Sequence, residues 1–106
     1  MNDPAAMRQM GQYCYYEGDH RGAFENFSKG AELGNAGAHY LLSSLYDKGE
    51  GVKKDEKKEV FHLEQAAIGG NPFARNNLAK LETLNGRKER AVKHLIIPPI
   101  LEMMMH

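Results

Sequence analysis

Residues 49–55 read Gly-Glu-Gly-Val-Lys-Lys-Asp, and this stretch separates two segments that both have the apolar spacing of helices. Its two glycines allow backbone conformations that other residues avoid. Val52 is the only apolar residue of the stretch, so we expect it to pack beneath the loop. Asp55 offers a side-chain oxygen to the free N–H groups at the start of a new helix. The stretch therefore predicts a loop that joins two helices.

The segments around this loop repeat one pattern, which begins with a helix start. The predicted starts are Asp3-Pro4, Asn35-Ala36 and Asn71-Pro72, because Asp and Asn cap helices and proline is tolerated at the first helical position. Four kinds of residue follow each helix start at the same distances along the chain: an alanine, then an apolar residue, then a small residue, then a second apolar residue. These positions are Ala6, Ala38 and Ala74; Met10, Leu42 and Leu78; Gly11, Ser43 and Ala79; and Tyr13, Leu45 and Leu81. Their spacing predicts one buried face on each helix, where the small residue lets a neighbouring helix approach closely.

A second helix in each unit repeats as well. Its matching positions are Ala23, Glu59 and Ala91; Phe24, Val60 and Val92; and Phe27, Leu63 and Leu95. Glycine at 34 and at 69–70 predicts where the first two of these helices end. The pattern predicts helices over 4–17, 20–33, 36–48, 56–68, 72–84 and 88–97. The expected fold is all-α: a short right-handed α-solenoid of about three antiparallel helix-turn-helix repeats. It forms a single domain over 1–106, with units at 3–34, 35–70 and 71–97 and an irregular apolar tail at 98–106.

The middle unit carries a family resemblance. Its string Ala38 … Leu42 … Tyr46 … Gly49-x-Gly51-Val52-x-x-Asp55 … Ala66-Ala67-x-x-Gly70-Asn71 resembles a Sel1-like repeat. The outer units have shorter turns and resemble tetratricopeptide repeats as much as Sel1-like ones, and the resemblance covers residues 3–97. Two positions depart from the family pattern: Glu59 replaces a small alanine, and His62 replaces a large aromatic residue.

The resemblance implies a function in binding proteins. In tetratricopeptide arrays the first helix of each unit lines a concave face, and similar Sel1-like arrays act as binding scaffolds. The matching groove positions here are Arg8, Gln12, Tyr15, Tyr40, Ser44, Asp47, Asn76, Lys80 and Thr83. Such a surface suits an extended peptide, with polar groups for the backbone and tyrosines for apolar side chains. The alternative is that these residues only face solvent.

The composition restricts the other classes of function. The chain has 106 residues, with 14 basic and 14 acidic residues, and this balance argues against a nucleic-acid partner. Its single cysteine excludes an internal disulfide and fits a reducing compartment. The first residues lack the apolar run of a signal peptide, and no apolar run is long enough to span a membrane. We therefore expect a cytoplasmic protein that does not bind a membrane.

No set of residues predicts catalysis or a cofactor. Glu59-x-x-His62 has the spacing of a helical di-iron ligand pair, but such sites need a second pair and two further glutamates. No two of the five histidines have the i,i+4 spacing of a helical zinc site. Cys14 lies on a packed helix face, which is typical of a small buried residue. We expect neither enzyme activity, nor a metal, nor a cofactor.

The C-terminal segment suggests an alternative function. Pro98-Pro99 should end the last helix, since proline cannot continue a helix interior. The apolar residues around this point are Leu95, Ile96, Ile97, Ile100 and Leu101. They predict a tail that folds back, an end-piece of a longer repeat array, or a surface that mediates self-association or docking.

Overall fold

The structure, a computed structural model, describes residues 3–83. These residues form five helices: α1 (Pro4–Tyr16), α2 (His20–Glu32), α3 (Ala36–Lys48), α4 (Glu56–Ile68) and α5 (72–83). Helix α1 pairs with α2, and α3 pairs with α4, while α2 packs on α3 and joins the two pairs. The predicted all-α repeat fold is confirmed. The predicted helix at 88–97 and the apolar tail at 98–106 lie outside the described residues.

Asparagine and aspartate begin the helices as the sequence pattern predicts. The Asp3 carboxylate accepts a hydrogen bond from the Ala5 N–H at 3.0 Å. The equivalent side-chain oxygens accept from the residue three positions later at 2.8 Å for Asn35, 3.1 Å for Asp55 and 2.9 Å for Asn71. Each cap satisfies an N–H group that has no partner within its helix, so the sequence fixes where the helices start.

Two apolar clusters form the core, and both cross the boundary between repeats. The first contains Ala23, Phe27, Ala31, Ala38, Leu42 and Leu45, with Val52 packed against it from the loop. The second contains Leu63, Ala66 and Ala74. The first cluster therefore joins α2 to α3, and the second joins α4 to α5. Neither repeat buries its apolar residues without its neighbour.

The small residue of the repeat lets two helices approach closely in the first two units. A Cβ atom on Gly11 would clash with the Phe27 ring, and Ser43 is buried to 2 % exposure. The prediction of a buried face is wrong at three positions. Met10 and Tyr13 are 54 % and 63 % exposed, and Ala79 is exposed. Leu42 and Leu45 occupy the positions on α3 that match Met10 and Tyr13, and they are buried because α3 packs between α2 and α4. Helix α1, in contrast, packs mainly on α2 and makes only a few contacts with α3.

The loop at 49–55 packs against the preceding repeat. Gly49 and Gly51 both have positive φ angles, 69° and 72°. A Cβ atom on Gly51 would also clash with the carbonyl group of His20, at the start of α2. Two features therefore require glycine at position 51: the positive φ angle of its backbone and the close approach of the His20 carbonyl group. The loop thus links the second repeat to the first.

Candidate functional site

A cavity of about 240 Å³ opens between α1 and α3, the first helices of the two repeats. We call it the first-helix cavity, and its lining residues are Gln12, Tyr15, Tyr16, Phe27, Tyr40, Leu41, Ser44, Leu45 and Lys48. On α1 and α3, most of the lining residues lie three or four positions apart, and this spacing places their side chains on the same face of the helix. Buried Phe27 and Leu45 belong to the first core cluster, so the cavity is backed by packed residues rather than by a mobile loop.

The cavity brings together four of the nine residues predicted to bind a partner. These four are Gln12 and Tyr15 on α1 and Tyr40 and Ser44 on α3. Arg8 lies one helical turn before Gln12, outside the cavity. The side chain of Arg8 lies across Gly37 at the start of α3, since a Cβ atom on Gly37 would be 3.0 Å from both Cδ and Nη1 of Arg8. The groove between α1 and α3 therefore continues from the cavity to Arg8.

The other four predicted residues do not line this cavity. Asp47 is exposed near α4, where its charge adds to the effect of burial in raising the pKa of Glu59. Asn76, Lys80 and Thr83 are exposed on α5. The ring of Tyr40 contacts the ring of Phe73, with centroids 5.8 Å apart, and this contact leads from the cavity towards α5.

A polar network closes the cavity at the end next to the loop. The hydroxyl of Tyr15 donates to the Glu50 carboxylate at 2.9 and 3.2 Å, and this hydrogen bond raises the pKa of Tyr15. His20 stacks on the Tyr15 ring at 4.8 Å, with Nε2 lying 3.5 Å from Glu50 Oε2. Lys48 Nζ lies 4.0 Å from the same carboxylate. The charges at this end are therefore balanced within the protein.

At the opposite end of the groove, Arg8 has no such partner among residues 3–83. Its Nε atom is buried and makes no hydrogen bond to any residue of the described part of the chain. Within residues 3–83 the side-chain contacts between basic and acidic groups are His20–Glu50, Arg21–Glu25 and Lys48–Glu50, and none includes Arg8. A buried N–H group without an acceptor is unfavourable, because it has lost its hydrogen bonds to water and has formed none within the protein. Within residues 3–83 the guanidinium of Arg8 therefore has no acidic side chain as a partner.

A second cavity, of about 310 Å³, lies between α2 and α4 and is called the second-helix cavity. Its lining residues are Ser28, Ala31, Glu32, His39, Leu42, Phe61 and His62. The Nδ1 atoms of His39 and His62 are 2.9 Å apart, and the His62 ring stacks on Tyr46 at 5.6 Å with the planes only 6° apart. The imidazole of His62 therefore stacks on an aromatic ring at the position where the family pattern has a large aromatic residue.

Burial lowers the pKa of both histidines. Loss of hydration is the main cause for each. The pKa of His62 falls to about 4, because the charges of His39 and Lys58 act in the same direction as burial. The carbonyl of Ala31 opposes the shift at His39. Both rings are therefore neutral at pH 7, and the ring N–H of one can donate to the bare nitrogen of the other.

Two of these features have no signal in the sequence. Tyr15 and Glu50 lie 35 positions apart, and His39 and His62 lie 23 apart. Sequence spacing reveals neighbours within one helix, whereas these contacts depend on how the helices pack. A cluster of three or more His, Cys, Asp or Glu side chains suited to a metal ion does not occur within residues 3–83. Cys14 is half-buried, with Sγ 3.9 Å from the amide nitrogen of Asn26.

The repeat boundaries of this structure agree with a known family. The Sel1 repeat profile matches residues 4–35 and 36–71, which correspond to α1–α2 and α3–α4 together with their connections. The chain belongs to the Sel1 repeat family. The resemblance carried by the loop at 49–55 is therefore confirmed, and it extends to the first unit, where the sequence resembled both repeat types.

A solved structure supports the same assignment. The chain is 38 % identical to a Sel1 repeat protein from Oxalobacter formigenes, with a TM-score of 0.69, over 76 % of this chain and 24 % of that one. It thus spans about a quarter of the length of that protein. No curated protein matches the chain at a significant level. Sel1 repeats generally mediate protein–protein interaction. None of the helices within residues 3–83 is long and apolar enough to cross a membrane.

Proposed function

We propose that the chain is a non-enzymatic interaction module that holds an extended segment of a partner protein in the groove between α1 and α3. One observation carries this proposal. The first-helix cavity brings polar and aromatic side chains from both repeats to one place, among them Gln12, Tyr15, Tyr40 and Ser44. The general role of Sel1 repeats in protein–protein interaction supports it.

The dimensions of the cavity favour a protein segment over a small molecule. Sites for drug-sized ligands usually enclose about 300–1,000 Å³. The first-helix cavity, at about 240 Å³, suits a single large side chain, while the rest of the ligand lies along the groove. Tyrosines provide a large contact area with little loss of conformational entropy, which is why they are frequent in protein-binding surfaces. Asn76, Lys80 and Thr83 would extend the same surface along α5.

Filling the cavity tests the proposal. Ser44→Phe places a large ring in the first-helix cavity, while the matched variant Ser28→Phe places the same ring in the second-helix cavity. Wild-type and variant proteins are immobilised, incubated with native lysate, and the captured proteins are quantified by mass spectrometry. We expect Ser44→Phe to lose the captured partners and Ser28→Phe to keep them. Thermal melts followed by circular dichroism establish that both variants are folded.

The opposite result would overturn the assignment of the binding face. If partners remain on Ser44→Phe and disappear from Ser28→Phe, binding occurs on the side of α2 and α4. Ser44 is preferable to Tyr40 as the test position, because Tyr40 also packs on Phe73 and truncation there would loosen α5.

A further inference from the structure

We propose that the groove between α1 and α3 selects segments in which an acidic residue lies two positions from a large apolar residue. This inference rests on the proposed function and names the chemistry of the ligand. The apolar side chain occupies the first-helix cavity, and the carboxylate binds the guanidinium of Arg8. The Nε atom of Arg8 is buried and has no hydrogen-bond acceptor among residues 3–83, and a guanidinium is a fork of N–H donors with no acceptor of its own.

The two ends of the groove differ in what they offer a ligand. At the end next to the loop, the Glu50 carboxylate already binds Tyr15 and lies near His20 and Lys48. A ligand charge of either sign gains little there, because the protein supplies the opposite charge itself. At the other end Arg8 has no carboxylate partner within residues 3–83. A carboxylate can accept two parallel hydrogen bonds from one guanidinium, which makes it the matching group.

The spacing of the two subsites sets the spacing of the two ligand residues. Arg8 precedes Gln12, the residue on α1 at which the cavity begins, by four residues, and this is a rise of about 6 Å along the helix. An extended peptide rises about 3.3 Å per residue, so two residues span nearly the same distance. Residues two apart in an extended segment also point to the same side. Adjacent residues point to opposite sides, so an acidic residue next to the apolar one would miss Arg8.

Selection from a random dodecapeptide library displayed on phage tests the inference. The library is selected on wild-type protein, on Arg8→Glu and on Arg21→Glu. Arg21 is a matched control, because its exposed side chain lies on α2 and the net charge changes equally. We expect wild type and Arg21→Glu to select Asp or Glu two positions from a large apolar residue. We expect Arg8→Glu to lose this preference and to select Lys or Arg at that position.

Individual peptides then give the size of the effect. For a selected peptide, Glu→Gln at the acidic position should weaken binding to wild type about tenfold or more in fluorescence anisotropy, as expected for a hydrogen bond between charged groups. The same change should leave binding to Arg8→Glu unchanged or improve it. Arg8→Lys should recover part of the affinity, because it keeps the charge but not the paired hydrogen bonds.

The outcomes separate this inference from the proposed function. Peptides that lose binding on Ser44→Phe yet show no acidic preference would overturn the role of Arg8 and leave the groove as the binding face. Peptides that bind Ser44→Phe as well as wild type would overturn the groove itself, and the role of Arg8 with it. A selection that enriches no peptide would count against both.

Discussion

Among the glycines with positive φ within residues 3–83, Gly51 is the one at which a Cβ atom would also clash with a neighbour. Its φ of 72° is unfavourable for any residue with a Cβ atom, and such an atom would also clash with the His20 carbonyl. Gly34 has a similar φ of 89° but open space around it. We expect Gly34→Ala to lower the free energy of unfolding by about 1–2 kcal/mol. For Gly51→Ala we expect a loss larger by roughly 1–3 kcal/mol, since the clash adds to the strain.

Urea unfolding of both variants measures the difference between these two losses. Equal losses would show that the loop moves away from α2 at no cost, and that the contact with His20 is unimportant for stability.

His62 should make stability depend on pH. Its pKa is about 4 in the folded protein and near 6.5 when unfolded, so the unfolded chain binds a proton more readily. Stability is therefore fully present above pH 6.5 and is lost as the pH falls towards 4. The shift corresponds to a loss of at most about 3 kcal/mol, and the partial exposure of the ring reduces this to roughly 1–2 kcal/mol. Two protonated rings would also place two donors against each other at the contact with His39.

His62→Phe isolates this effect from the carboxylates that titrate in the same range. Phenylalanine keeps an aromatic ring against Tyr46 but cannot be protonated. We expect its free energy of unfolding, measured in urea between pH 7.5 and 4.5, to fall less than that of wild type. Parallel curves for the two proteins would assign the acid sensitivity to groups other than His62.

Between elements, the contact of Tyr15 with Glu50 connects α1 to the loop of the second repeat. A double-mutant cycle with Tyr15→Phe and Glu50→Gln should give a coupling energy of about 0.5–1.5 kcal/mol, below the usual value for a charged hydrogen bond, because this bond is only partly buried. Arg21 and Glu25 form an exposed pair one helical turn apart, and their coupling should stay below about 0.5 kcal/mol. Chemical denaturation measures both cycles. A Tyr15–Glu50 coupling energy no larger than that of the control pair would show that this hydrogen bond does not contribute measurably to holding the loop against α1.

The helices follow from the sequence because their determinants are local. Caps such as Asn35 and Asn71 act within three residues, so the helix starts were predictable. The cavity was predictable in part, through Gln12, Tyr15, Tyr40 and Ser44, because helical spacing places them on one side. The contacts of Glu50 and of the two histidines were not, since they join residues far apart in the chain. The exposure of Met10 was missed because it depends on which helices cover α1.

For the whole molecule, the self-association alternative has a simple test. The apolar residues Leu95, Ile96, Ile97, Ile100 and Leu101 lie outside the described residues, so this alternative rests on the sequence. We expect these residues to pack within their own chain. Light scattering should then give a monomer mass from micromolar to near-millimolar concentration. A mass that rises with concentration, and that returns to the monomer in Ile97→Glu, would support self-association.

The first core cluster, which joins α2 to α3, should make the two repeats unfold as one cooperative unit. Leu45 is 2 % exposed and belongs to the cluster that also contains Phe27 of the first repeat. Leu45→Ala should lower the free energy of unfolding by about 2–5 kcal/mol, because it leaves a cavity in that cluster. In native-state hydrogen exchange, the opening free energies of α1–α2 and of α3–α4 should therefore fall together. The control Leu33→Ala, at an exposed position, should change either value by no more than about 0.5 kcal/mol. If only α3–α4 lost protection, the repeats would be separate units, and a ligand bound across α1 and α3 would have to hold them together itself.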